Sequence, residues 1–79
     1  MHIEIGSVVV SKAGHDTGEF FAVMDFDEKE VFISDGKQRK VEKPKKKNRK
    51  HVSVTRYILK EDQLRTNRQL KKALANIKA

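Results

Sequence analysis

Gly6-Ser7-Val8-Val9-Val10-Ser11-Lys12-Ala13-Gly14-His15-Asp16-Thr17-Gly18, continued by Glu19-Phe20-Phe21-Ala22-Val23-Met24-Asp25-Phe26, decides how this chain folds. Three successive valines between serines favour extended backbone, because β-branched side chains fit a pleated surface better than a helix. Gly14 and Gly18 stand four apart in a polar stretch and are free to take positive φ, so the chain can reverse there. Glu19 to Phe26 then returns as a longer strand rich in aromatic and aliphatic residues. The founding unit is strand, glycine loop, strand.

The flanks extend the same pattern. Ile3-Glu4-Ile5 leads into Gly6, and Asp27-Glu28-Lys29 turns the chain into a third strand, Glu30 to Ser34. Asp35-Gly36 is the strongest hairpin signal, because a type I′ turn needs two residues that tolerate positive φ. It predicts a fourth strand over Gln38 to Val41 and, after a basic loop, a fifth over His51 to Arg56, where Val52 and Val54 alternate with Ser53 and Thr55. Beyond Arg56 the period changes. Thr66-Asn67-Arg68-Gln69 matches a capping box, and Leu70, Ala73, Leu74 and Ile77 define one helical stripe with Arg68, Lys71, Lys72 and Lys78 off it. Residues 57–65 fit either a linker or a first helical turn. The expected organisation is one domain, with a small β-barrel over 1–56, and a linker and amphipathic helix over 57–79 docked on it.

With 79 residues the core must be small, and no deep substrate cavity is expected. The chain has no cysteine, so neither disulfides nor thiolate metal sites contribute. The run Val8-Val9-Val10 is far too short to span a bilayer, and the first twenty residues carry acids and lack a signal-peptide core; a cytoplasmic address is expected. The net charge is +7, unevenly spread: residues 1–35 hold two lysines against eight acids, a balance of −6, while residues 36–79 hold sixteen Lys and Arg against three acids, a balance of +13. Lys43-Pro44-Lys45-Lys46-Lys47-Asn48-Arg49-Lys50-His51 is the densest part, and it reads as a stiff cationic loop held between strands. Such a loop gains nothing from folding by self-repulsion, so it suits an anionic polymer.

The Gly6–Gly18 segment resembles a KOW motif, the unit of small SH3-like barrels in ribosomal proteins and transcription elongation factors. Taken with Ser11-Lys12-Ala13-Gly14, Asp35-Gly36, Arg39-Lys40, Pro44-Lys45-Lys46-Lys47-Asn48 and Lys50-His51, it is similar to the family of eukaryotic and archaeal-type large-subunit ribosomal protein fourteen and its short bacterial relatives. The resemblance covers residues 3–55. Phe21 stands where many KOW motifs have a third glycine, which fits the ribosomal subgroup better than the elongation factors. The resemblance implies a mainly β fold, an SH3-like barrel with a C-terminal helix, and ribosomal RNA of the large subunit as partner, with ribosomal proteins nearby. The expected RNA contacts are Lys12, Gly14, His15, Arg39, Lys40, Lys43, Lys45, Lys46, Lys47, Asn48, Arg49, Lys50 and His51. Gly14 would let the backbone approach a phosphate, and the lysines would supply charge with little sequence information. Changing Lys45, Lys46, Lys47 and Arg49 to Gln is expected to leave the fold intact while RNA affinity falls.

The aromatic residues divide. Phe20, Phe21, Phe26 and Phe32 lie in strands of a chain short of core and are expected inside, with Phe21 or Phe32 the ones to face outward if any do; Tyr57, at a strand exit, fits core or base stacking equally well. His2, His15 and His51 are scattered without metal-ligand spacing, and no nucleophile or nucleotide loop stands out, so a non-enzymatic monomer without cofactor or membrane partner is expected. The alternative function is a protein-interaction module of a transcription or translation factor.

Overall fold

The computed structural model describes residues 2–78. It is mainly β: a five-stranded antiparallel sheet and one C-terminal helix. The strands are β1 (Ser7–Ser11), β2 (Phe20–Phe26), β3 (Glu30–Ser34), β4 (Lys45–Asn48) and β5 (Val52–Ile58), and the helix α1 is Asn67–Lys78. Short 3-10 turns at Arg49–His51 and Glu61–Leu64 lead into β5 and towards α1. The sheet order is β4-β3-β2-β1-β5, so the meander of the first four strands ends with β5 returning beside β1.

Both faces of this sheet are buried. Val9, Phe21, Val23, Val31, Ile33 and Val52, with Ile3, form one core. Val8 and Ala22, the alternate residues of the same strands, meet Leu59, Leu64 and the helix residues Leu70, Ala73 and Leu74 in the other. Phe21 is 2 % exposed, so its outward-facing option is excluded; the aromatic that departs from the expected interior is Phe26, 37 % exposed where β2 ends. The helix begins as its sequence requires: the Thr66 hydroxyl accepts the Gln69 amide at 3.1 Å, and the Leu70–Ala73–Leu74 stripe faces the sheet.

Two expectations are corrected. First, Gln38 to Val41 is not a strand. Among the described residues only glycines have positive φ, so Asp35 cannot complete a type I′ turn. Its carboxylate instead accepts the amides of Lys37 (3.0 Å) and Arg39 (2.9 Å), and the segment becomes a loop laid against α1, where Asn67 Oδ1 accepts the Val41 amide at 2.8 Å. The fourth strand lies inside the supposed basic loop, where Lys45, Lys46, Lys47 and Asn48 pair with Ile33, Phe32, Val31 and Glu30. Lysines at a sheet edge discourage pairing with another chain, which is why a cationic run can be a strand there.

Second, the barrel is not closed. β4 and β5 end the sheet, with no ladder joining them among the described residues. The sheet is nevertheless strongly coiled. Three strand spacings separate β4 from β1, about 14 Å in a flat sheet, yet the Lys47 ammonium lies 2.7 Å from the Ser11 hydroxyl at the end of β1.

Candidate nucleic-acid interface

The thirteen basic-segment and loop residues expected to meet RNA have unlike fates, and within β4 the alternation of the strand sets them. Lys47 is opposite Val31 and shares its inward face. Its ammonium donates to Asp16 Oδ1 at 2.6 Å, to Ser11 Oγ and to the Ala13 carbonyl at 2.8 Å, with side-chain exposures of 7 % for Lys47 and 11 % for Asp16. Lys45, also inward, stands 3.4 Å from the other Asp16 oxygen. Burial by itself would raise the Asp16 pKa; the hydrogen bonds from Lys47 and Ser11 and the charges of Lys47 and Lys45 outweigh it and hold the carboxyl well below the usual carboxylate range. Gly14 (φ 86°) lies over this ion pair, a Cβ there falling 3.8 Å from Asp16 and 3.9 Å from Lys47. Lys47 therefore holds the fold together, its ammonium already paired inside, and replacing it with Gln strands a buried carboxylate. The fourfold Gln variant cannot be taken as a silent change to the fold.

Asn48 is a cap: its side-chain oxygen accepts the Lys50 amide at 2.8 Å and starts the 3-10 turn. Arg49 is partly committed too, its guanidinium donating to the Asp27 carbonyl at 3.1 Å and its amide to the Lys29 carbonyl at 2.9 Å. This pins the cationic turn to the acidic β2–β3 turn. There the Asp27 carboxylate accepts the Glu30 and Lys29 amides, which, with the charges of Arg49 and Lys46, lower its pKa. Lys46 points outward and stands 3.8 Å from Glu30.

What remains free forms two groups. In the first, the Lys12 amide donates to the His51 carbonyl at 2.8 Å, joining the end of β1 to the 3-10 turn. Lys12, Arg49 and Lys50 rim a shallow depression of about 330 Å³ floored by Ile3, Val52 and Val54, with Glu28 on one side. Among the described residues neither Lys12 nor Lys50 enters an ion pair, while His51 is exposed beside them. The second group is exposed Lys37, Arg39, Lys40 and Lys43 on the loop before β4, which docks on α1 near Lys71. His15 lines a small cleft with Asp16, Glu19 and Asp35, whose other wall is Lys37 and Gln38 of the second group. Lys37 is not among the residues expected from the sequence, although it follows Gly36 within the same cationic loop.

Among the described residues no three His, Cys, Asp or Glu side chains gather to hold a metal ion, and no helix is long and apolar enough to cross a membrane. No protein-family model matches the chain, and no curated protein matches it in sequence.

Proposed function

We propose that this protein is a non-catalytic RNA-binding module of SH3-like, KOW type, acting in the cytoplasm on ribosomal RNA of the large subunit or its assembly intermediates. The observation that carries the reading is the placing of two ammonium groups, Lys12 and Lys50, neither in an ion pair among the described residues, beside Arg49 over an apolar floor. Free cations on a rigid rim neutralise phosphates and release counterions without first breaking internal ion pairs. The five-strand antiparallel order with β5 beside β1, and a 3-10 turn feeding β5, supports the SH3-like assignment. The KOW-like glycine loop and the lysine-rich run support the ribosomal setting.

The test spares Lys47. A Lys12→Gln/Lys50→Gln variant is compared with wild type in titrations against ribosomal RNA fragments over a range of salt. We expect the same thermal unfolding, at least ten-fold weaker binding at low salt, and a log K against log salt slope shallower by about 1.4, two contacts at roughly 0.7 each. Unchanged affinity and slope would return the protein to the alternative role of a protein-interaction module.

A further inference from the structure

The C-terminal half of β5 is irregular in a way that the sheet does not need. Val9 of β1 faces Val54, but Ser7, two residues earlier, faces Ile58, so two extra residues of β5 are accommodated between these pairs. The bulge is fixed by one side chain: the Thr55 hydroxyl donates to the Val8 carbonyl at 2.7 Å, and its oxygen accepts the Tyr57 amide at 3.2 Å. A bulge re-aims side chains, and edge strands leave them uncovered from the side. Here it turns out Arg56, Tyr57 and Ile58, with Tyr57 42 % and Ile58 51 % exposed. The Arg56 guanidinium lies 5.7 Å from the Tyr57 ring centroid, within cation–π range, which restrains the ring while leaving it accessible.

We propose that Tyr57, steadied by Arg56, is a stacking platform for an unpaired base, and that β5 guides a single-stranded RNA segment between this platform and the Lys12–Lys50 rim. This rests on the RNA-binding reading and adds the kind of RNA that the site takes. Both ends belong to one strand: β5 leaves the cationic 3-10 turn at Val52, opposite Ser11, and reaches Tyr57 just before Ile58, opposite Ser7, so the bulged stretch covers four residues of β1, roughly 13 Å at about 3.3 Å per residue. That length suits roughly four nucleotides, the shortest single-strand sites on small barrels. Phosphates would be neutralised at the Lys12–Lys50 end, and a base would stack at the Tyr57 end. Duplex RNA keeps its bases stacked inside and offers the ring a face only at its two ends.

The chain has one tyrosine and no tryptophan, so its intrinsic emission reports on Tyr57 alone. Wild type, Tyr57→Phe, Tyr57→Ala and Lys12→Gln/Lys50→Gln are titrated with an unstructured eight-nucleotide RNA and with a duplex of the same length. Expected are quenched emission and tighter binding with the single strand, near-wild-type affinity for Tyr57→Phe, and about ten-fold or greater loss for Tyr57→Ala. If RNA binds and the lysine variant weakens it, but emission is unmoved and Tyr57→Ala binds as wild type, the stacking platform is wrong while the RNA-binding reading stands. Equal affinity for duplex and single strand would also overturn the platform. Failure of wild type to bind either RNA would overturn both.

Discussion

Lys47 shows how one lysine in a run can do the opposite work of its neighbour. Lys46 is outward, its ammonium 3.8 Å from Glu30 with both groups in reach of water, whereas Lys47 is inward and bonded to Asp16, Ser11 and the Ala13 carbonyl. An exposed pair contributes under about 1 kcal/mol, but removing one partner of a buried, hydrogen-bonded pair costs about 3 kcal/mol because the other charge is left unpaired. Urea titrations at neutral pH should therefore place Lys46→Gln within about 0.5 kcal/mol of wild type and Lys47→Gln about 3 kcal/mol below it. The acid side has a definite sign. The folded pKa of Asp16 is depressed, so its stabilisation is full above the unfolded value, about 3.9, and is lost as pH falls through the folded value. The deficit of Asp16→Asn should accordingly be constant above about pH 5 and shrink steadily below about pH 4. A deficit that ignores pH, or equal costs at positions 46 and 47, would falsify the buried pair. In the sequence these lysines are indistinguishable; only their register against Val31 and Phe32 separates them, and charge gives no clue to register.

The elements were legible where side-chain pattern and local geometry agree. The β1 valines, the glycine loop, the Glu30–Ser34 strand and the Thr66-capped helix obey local rules. The segment after β3 was not legible, because its structure is decided by a partner 26 residues away: Asn67 at the start of α1 takes the Val41 amide, while the Asp35 carboxylate takes those of Lys37 and Arg39. Asp35-Gly36 thus announces a turn correctly but leaves open whether strand or loop comes next. Gly36, with φ 82°, lies so close to the helix that a Cβ would fall 3.1 Å from the Lys71 amide and closer still to the Asn67 carbonyl. Gly18 has a similar φ of 89° but open space around it. Gly18→Ala should cost only the left-handed backbone penalty, about 1 kcal/mol. Gly36→Ala adds a clash between two backbones that cannot rotate away, for a total of about 3 kcal/mol. Thermal unfolding followed by circular dichroism should show melting temperatures lower by roughly 6 °C and 18 °C respectively. Equal shifts would mean that the loop is not seated on the helix as described.

Charge that is divided along the chain is interleaved in the fold. The acidic first thirty-five residues and the basic remainder suggest one repelling face and one attracting face. Folding instead seats Asp16 among Lys45 and Lys47, Glu19 beside Lys78, and the acidic β2–β3 turn against Arg49. The free positive potential is thus what survives local pairing, and Glu28 stands on the rim of the very depression that Lys12 and Lys50 line. A carboxylate about 7 Å from a bound phosphate repels it by roughly 0.6 kcal/mol at the dielectric constant of water. Glu28→Gln should therefore strengthen RNA binding about two- to three-fold at low salt, and the gain should fade towards 1 M salt, where the screening length is about 3 Å. Glu61→Gln removes the same unit of charge from the turn that carries Arg65, so it separates a local effect from a change in net charge. Titrations with one RNA at several salt concentrations decide it. Local repulsion raises affinity for Glu28→Gln well above that for Glu61→Gln, whereas equal gains would place the RNA away from the Lys12–Lys50 rim and leave binding to the general excess of positive charge.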